Sequence, residues 1–310
     1  MRKLLQKLGS MAKTVGYRVY SDFLMPSRLA TFENLLNQAI ECDYEVHSVA
    51  SFWEVIKAGG PVSGKRYLIL RHDVDTDIAT AREMWTIEQR LGVRASFYFR
   101  LSTIDIPLMR QIHEEGGEAS YHYEEIATIG KEKALSTEQQ IVRELPLMRH
   151  SFAQTLFRLR KLTGLPMHTV ASHGDFFNRK LGIANHELLA ESKLRKETAV
   201  ELETYDETMM KYVTSRHSDT LAPAFWKPND PFEAISRKEA VIYLLTHPRH
   251  WRTDPYGNLL DNIKRLWEGV LFAMRKNGKF SMVPGSILSH LSVLTVEGEW
   301  ANAMVSLVVA

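Results

Sequence analysis

Cys42 is the single cysteine in 310 residues. An intramolecular disulfide is therefore excluded, and without a second thiolate there is no cysteine-type zinc site. Following Ala39-Ile40-Glu41, it reads as a small buried apolar residue rather than a reactive thiol. Long apolar runs are missing too. None approaches the roughly 18 residues that a membrane span needs. The N-terminus, Met1-Arg2-Lys3-Leu4-Leu5-Gln6-Lys7-Leu8, is basic, but no apolar stretch of about 7–15 residues follows it, so it is not a secretory signal. These absences give the expectation of a cytoplasmic protein. A dominant charge is also lacking. Lys and Arg number 39 against 37 Asp and Glu, a net charge of +2, with no basic stripe interleaved with aromatics to argue for nucleic acid. No Gly-x-Gly-x-x-Gly follows a strand and no Gly-x-x-x-x-Gly-Lys-Ser/Thr is present, which disfavours a nucleotide-binding enzyme. A Gly-x-Ser-x-Gly nucleophile elbow is absent as well. There is no internal repeat, low-complexity segment or linker that would divide the chain.

What is present suits one large domain. Forty-five per cent apolar residues fill a core, 25% charged residues are ordinary, and the length fits a single α/β barrel. Spacing predicts helices over 32–40, 78–91, 107–115, 138–162 (broken only at Pro146), 186–192 and 259–275. Gly92 is the expected stop of the second of these, and Asn185 the expected N-cap of the fifth. Strands are predicted over 44–49, 67–73, 93–99, 118–122, 167–172, 211–214, 240–245 and 279–283. This alternation indicates parallel strands with crossover helices, an incomplete or distorted (β/α) barrel or an α/β sheet. Residues 1–30 read as a basic helical extension, 31–285 as the barrel, and 286–310 as an apolar tail. Lys3, Lys7 and Lys13 alternate with Leu4, Leu5, Leu8 and Met11. Such a segment is either a docked terminal helix or a basic amphipathic helix in peripheral contact with a membrane.

Chemistry-bearing residues cluster at strand ends. One strand closes in Arg71-His72-Asp73-Val74-Asp75, another in Tyr121-His122-Tyr123-Glu124-Glu125, a third in Ser172-His173-Gly174-Asp175, and a fourth in Thr246-His247-Pro248-Arg249-His250-Trp251. Arg100 ends a further strand. Strand C-termini share one face in parallel α/β folds, and that face carries the active site. A merely solvated face would favour Lys and Glu over repeated His. Period-two alternation turns Asp73 and Asp75 the same way, with His72 beside them. Their alternative role is to cap the following helix, which Asp75 or Asp77 would suit. A catalytic metal takes about three protein ligands and an open position. Imidazole and carboxylate donors suit zinc, with iron, cobalt or manganese as other occupants. A carboxylate base and a histidine acid complete a hydrolytic site.

The order and spacing of these segments over about 65–285 resemble the polysaccharide deacetylase family, the carbohydrate esterases that share the chitooligosaccharide deacetylase homology domain. Arg71-His72-Asp73-Val74-Asp75 is similar to that family's Thr-Phe-Asp-Asp-Gly motif, and Ala95-Ser96-Phe97-Tyr98-Phe99 to the Ala-Thr-Phe-Phe strand after it. Gly117-Glu118-Ala119-Ser120-Tyr121-His122 resembles Gly-His-Glu-Ile-Gly-x-His, and Leu245-Thr246-His247 resembles Leu-x-His. His-Asp-Val-Asp, Tyr-His-Tyr-Glu and His-Pro-x-His-Trp mark a divergent branch similar to the deacetylase-like proteins of bacterial surface-polysaccharide loci. The resemblance implies an incomplete barrel, a divalent metal and removal of N-acetyl groups from sugars. The family's second aspartate falls on Val74, which leaves Asp75 as the nearest ligand. Its second metal histidine falls on Ile126, which leaves His173, with Glu125 as a rival. The Arg-x-Pro-Tyr motif is not visible. The implied roles are metal ligands Asp75, His122 and His173, base Asp73 and acid His247. Arg71 and Arg100 would hold Asp73 or an anionic substrate group. Trp251, and more weakly Trp226 and Tyr123, would stack on a carbohydrate, while His250 is a surface or supporting residue and His217 a spare candidate. A cyclic amide or ureide substrate, or a non-catalytic carbohydrate-binding derivative, are the alternatives.

Overall fold

The computed structural model describes residues 13–276. Nine strands are present among them: β1 (Tyr44–His47), β2 (Arg66–Val74), β3 (Ser96–Phe99), β4 (Glu118–Tyr123), β5 (Thr169–Ser172), β6 (Leu202–Glu203), β7 (Ser215–Asp219), β8 (Trp226–Lys227) and β9 (Val241–Thr246). They form one curled sheet in the order β6-β5-β4-β3-β2-β9-β7-β8, with β1 also on β2. Every pairing is parallel except β7 with β8. No ladder joins β6 to β8, so the sheet is an incomplete (β/α) barrel.

Twelve helices, short 3₁₀ turns aside, accompany the strands among the described residues. The first is α1 (residues 13–24, whose end Tyr20–Leu24 is π-wound). Then come α2 (Leu29–Glu41), α3 (Val49–Lys57), α4 (Ile78–Leu91), α5 (Ile106–Glu114), α6 (Glu125–Glu132) and α7 (Glu138–Thr163). The rest are α8 (Phe176–Leu181), α9 (Ser192–Thr198), α10 (Glu207–Met210), α11 (Pro231–Ser236) and α12 (Pro255–Lys276). Local chemistry sets several of their ends. The Asp77 carboxylate accepts the Thr80 amide at the start of α4, and left-handed Gly92 ends it. Thr137 and Gln140 make a capping box for α7, and left-handed Gly164 closes it.

β2 is central, hydrogen-bonded to β1, β3 and β9. Its alternation divides the core into two. Leu68, Leu70 and Val74 join Phe97, Phe99, Ile242 and Leu244 in the layer beneath the helices. Tyr67 and Ile69 join Tyr98, Leu202 and Tyr243 inside the barrel. Arg71 and Asp73 have the parity of the inner row, so the strand carries its charges into the barrel mouth.

Several expectations are corrected. The strand expected at 211–214 lies at Ser215–Asp219, because it is this polar stretch that pairs with β9. Consequently His217 lies within a strand, and its ring contacts the Ser215 hydroxyl and the Asn229 carbonyl. Pro146 does not break α7, which runs through it. Asn185 does not cap a helix. Its side chain accepts from the Ala127 amide in the first turn of α6 and donates to the His173 carbonyl, tying α6 to the segment after β5. Residues 185–190 form a 3₁₀ segment before α9. Helices α3 and α6 were not anticipated, since short apolar stretches give a weak periodicity. Cys42 is half-buried against the core. The strand expected at 279–283, the tail and the basic segment up to Ala12 lie outside the described residues.

The outer core is dense around β4. Phe152 of α7 lies 6.2 Å from Tyr121 and 5.0 Å from Tyr123, ring centre to ring centre, and is fully buried. Phe152→Ala should cost about 3–5 kcal/mol of stability, read as a lower midpoint in chemical denaturation. An unchanged midpoint would show that this contact does not anchor β4.

Candidate metal and acid–base site

The C-terminal ends of β2, β4 and β5 converge. Asp75 follows β2, His122 lies near the end of β4 and His173 follows β5. Asp75 Oδ1 stands 3.3 Å from His122 Nε2 and 3.5 Å from His173 Nε2. Donors about 2.0–2.1 Å from a tetrahedral ion are about 3.4 Å apart, so the spacing is that of a coordination shell. Asp75 Oδ1 is also buried with no hydrogen-bond partner. A buried carboxylate oxygen left unpaired between two imidazoles is costly unless a cation or proton meets it.

The imidazoles are aimed by their other nitrogens. His122 Nδ1 is 3.0 Å from the Ala171 carbonyl, and His173 Nδ1 is 3.0 Å from Glu124 Oε2. Both partners only accept, so each Nδ1 carries a proton and each Nε2 is the nitrogen turned to the site. Arg100 grips Glu124 through both guanidinium Nη2 and Nε contacts at 2.8–3.1 Å. Burial opposes the Glu124 charge, but Arg100 and His173 outweigh it and hold its carboxyl well below the usual range. Arg100, Glu124 and His173 thus form a carboxylate–histidine arrangement typical of ligand support.

Asp73 borders the cluster, its Oδ2 3.4 Å from His122 Nε2. Arg71 clamps it at both oxygens, Nε to Oδ1 at 2.7 Å and Nη2 to Oδ2 at 2.8 Å. Arg71 is fully buried and also donates to Thr204 and Tyr243. Burial pushes the Asp73 carboxyl up, but the Arg71, His122 and His247 charges bring it below its ordinary value. Asp75 is opposed by burial and held well below its ordinary range by His173, His122 and His247. Both aspartates are therefore ionised at neutral pH.

A second group faces the first. His247 Nδ1 is 2.6 Å from Asp219 Oδ1, and the His247 backbone N–H donates to Asp219 Oδ2 at 2.8 Å. Burial alone would lower the His247 pKa, but Asp219, with smaller help from Asp75 and Asp73, raises it to about 9. His250 Nδ1 lies 3.1 Å from the same Asp219 oxygen, and burial lowers its pKa. Only one of the two rings is thus held as a cation. Three groups among the described residues have metal-ligand spacing: Asp75 with His122 and His173, Asp219 with His247 and His250, and Glu124 with His173 and Asp175. The second is committed to a proton, and in the third Glu124 is committed to Arg100.

No protein-family model matches this chain, and neither does any curated protein. The chemistry of the site therefore rests on its own geometry.

Some sequence-based roles do not fit the observed positions. His72 is not beside the aspartates. Strand parity turns it to the outer layer, where Nε2 meets Glu88 Oε1 and Nδ1 meets Thr246 Oγ1, both at 2.6 Å. Glu125 is no rival ligand. It accepts from the Tyr121 hydroxyl in the outer core, where burial raises its pKa to about 7. Trp251 and Tyr123 have no accessible face for a sugar, since both are fully buried. Trp251 donates from Nε1 to Asp219 Oδ2, and Trp226, also buried, packs on it. Arg100 is occupied by Glu124 and Arg71 by Asp73, so neither guanidinium is a free anion receptor. Asp77, not Asp75, is the helix cap. Asp219 was missed. The signal available was a carboxylate at the end of Arg216-His217-Ser218-Asp219, obscured because that stretch read as following a strand.

Purified protein should retain a divalent ion through desalting, and His122→Ala should lose it. Equal metal content in the two proteins would refute a site built on Asp75, His122 and His173. Asp219→Asn should lower the His247 titration from about 9 toward its ordinary value, because burial is then opposed only by the smaller effects of Asp75 and Asp73. The shift is read from the ring C–H resonances. Stability follows the same sign. His247 stabilises the fold fully below its unfolded pKa near 6.5 and loses that contribution as pH rises through about 9.

Proposed function

We propose that this chain is a metal-dependent hydrolase of an amide bond, and that it removes an N-acetyl group from a sugar of a surface polysaccharide or of its precursor. The observation that carries the proposal is the meeting of Asp75 Oδ1, His122 Nε2 and His173 Nε2 around an unpaired buried oxygen, with Asp73 on one side. The order of motifs along the chain, similar to that of polysaccharide deacetylases, supports the choice of substrate class.

Asp75, His122 and His173 would hold the ion, and two neutral imidazoles with one carboxylate suit zinc, with iron, cobalt or manganese as alternatives. Such an ion polarises an amide carbonyl and makes water a stronger acid. Asp73 is ionised and accepts the proton lost by the attacking water. Arg71 fixes its orientation through two hydrogen bonds. His247 is an imidazolium at neutral pH because of Asp219, so it has a proton to give. It protonates the nitrogen as the C–N bond breaks, and acetate and a free amine result. The donor is regenerated when the proton on Asp73 returns through solvent.

A second substrate class has its own support. The three aromatic residues expected to stack on a sugar are all buried, which leaves the platform typical of carbohydrate recognition unaccounted for. The same ligand set and acid–base pair would open a cyclic amide or ureide. On the first reading, with a cytoplasmic location, a nucleotide- or lipid-linked precursor is the substrate.

Acetate release from N-acetyl sugars, set against ring opening of allantoin and cyclic imides, separates the two classes. In either assay His247→Ala should lower kcat by about 10²–10⁴-fold while metal content stays at the wild-type level. Full activity in that variant would remove His247 from the mechanism. Inactivity of the metal-loaded wild type on both classes would favour a binding protein.

A further inference from the structure

α12 is an amphipathic helix mounted the wrong way round for a globular protein. Its polar side faces the body. Asp261 pairs with Arg249 at 2.7 Å, Asn258 donates to the Asp22 carbonyl, Asn262 meets Asp22 and Arg18, and Glu268 pairs with Lys131 at 3.2 Å. Only Phe272 of its large apolar residues is buried. The apolar side points outward. Tyr256, Leu259, Leu260, Ile263, Leu266 and Trp267 recur at three- and four-residue spacing, with Tyr256 67%, Leu266 70% and Trp267 61% exposed. Residues at that spacing share one face of a helix. α1 packs beside α12 and exposes Val15, Val19 and Leu24. Scattered apolar residues on a surface are ordinary, but a continuous row with a polar underside marks an interaction face.

The charges of α12 are sorted as well. Its sequence holds two carboxylates, Asp261 and Glu268, and four cations, Lys264, Arg265, Arg275 and Lys276. Both carboxylates are engaged against the body. Lys264, four residues after Leu260 and three before Trp267, is exposed. The free charge beside the apolar row is therefore positive. Six charges in 22 residues keep this helix from crossing a bilayer, and no described helix is long and apolar enough to do so. A helix with a strong apolar face, interfacial Trp and Tyr and flanking Lys or Arg lies in the plane of an anionic lipid surface.

We infer that α12 is a docking face for the surface of a bilayer that contains anionic lipid. Its apolar row enters the headgroup boundary, and Lys264 meets lipid phosphates. The helix bridges two segments of the candidate site. Asp261 holds Arg249, two residues after His247, and Glu268 shares Lys131 with Asp175, two residues after His173. Docking through α12 would thus bring both strand ends close to the lipid surface. That a lipid-linked sugar is the resulting substrate rests on the hydrolase reading. The docking itself does not.

Sedimentation of the full chain with phosphatidylcholine vesicles, with and without phosphatidylglycerol, tests the inference. Binding is expected to the anionic vesicles. The double variant Leu266→Glu, Trp267→Glu should weaken it by at least about tenfold, because two exposed apolar contacts are lost. Lys264→Gln should weaken it about fivefold on anionic vesicles and little on neutral ones. All these positions are exposed, so circular dichroism and metal content should match wild type, which keeps this result separate from that of the metal site. A wild-type chain that stays in the supernatant overturns the inference. So does binding that the double variant leaves unchanged. A variant that alters only the oligomeric mass overturns it in favour of a second copy on this face.

Discussion

The buried pair of Arg71 and Asp73 is the constraint on which the rest of the structure depends. A guanidinium and a carboxylate inside a barrel are tolerable only if both are paired and their remaining donors are met. Here the pair is bidentate, and the spare guanidinium hydrogens reach Thr204 and Tyr243. Those two residues come from opposite arms of the sheet, on either side of β2. One ion pair therefore ties the central strand to both arms. It also holds Asp73 ionised beside His122, which makes a stability element and a candidate base the same group.

Around that pair, the site is organised by hydrogen bonds that leave one nitrogen free. A main-chain carbonyl fixes His122, a carboxylate fixes His173, and Arg100 fixes that carboxylate in turn. Asp219 does the opposite for His247, keeping a proton on the ring. The same residue type thus meets the site in two ways, with Nε2 turned inward over a fixed Nδ1 at His122 and His173, and held as a cation by Asp219 at His247. Trp251 belongs to this support, since its indole N–H meets Asp219 from the core side. Its position four residues after His247 carries a polar contact to a buried carboxylate rather than a platform for ligand.

The outer layer carries a second buried polar system that the chemistry does not use. His72, Glu88 and Thr246 bond to one another between the sheet and α4. They sit one residue away from the functional row on β2 and β9. Side-chain alternation separates the two systems completely, and the sheet itself divides an inner face with the candidate site from an outer face with a satisfied network.

The sequence by itself determined the architecture and where along the chain the chemistry falls. Apolar runs ending in ionisable clusters, alternating with helical spacing, required parallel strands whose polar ends meet on one face. These are local patterns, and β2, α4, β4, β5 and β9 follow them closely. The meeting of Asp75 with His122 and His173 was legible for the same reason, since each lies at or just beyond a strand end. Tertiary structure decided direction and depth. Strand parity alone would have turned His72 outward, yet only the packing of α4 supplied Glu88 to receive it. Trp251, Trp226 and Tyr123 are chemically suited to a sugar face, and their burial depends on helices and loops distant in sequence. Asp219 became a partner of His247 only when β7 paired with β9. The inverted mounting of α12 was equally hidden, because amphipathic spacing shows that a helix has two faces and not which of them the body takes. That choice was made by Arg249, Lys131 and Asp22, residues whose positions relative to α12 exist only in the folded chain.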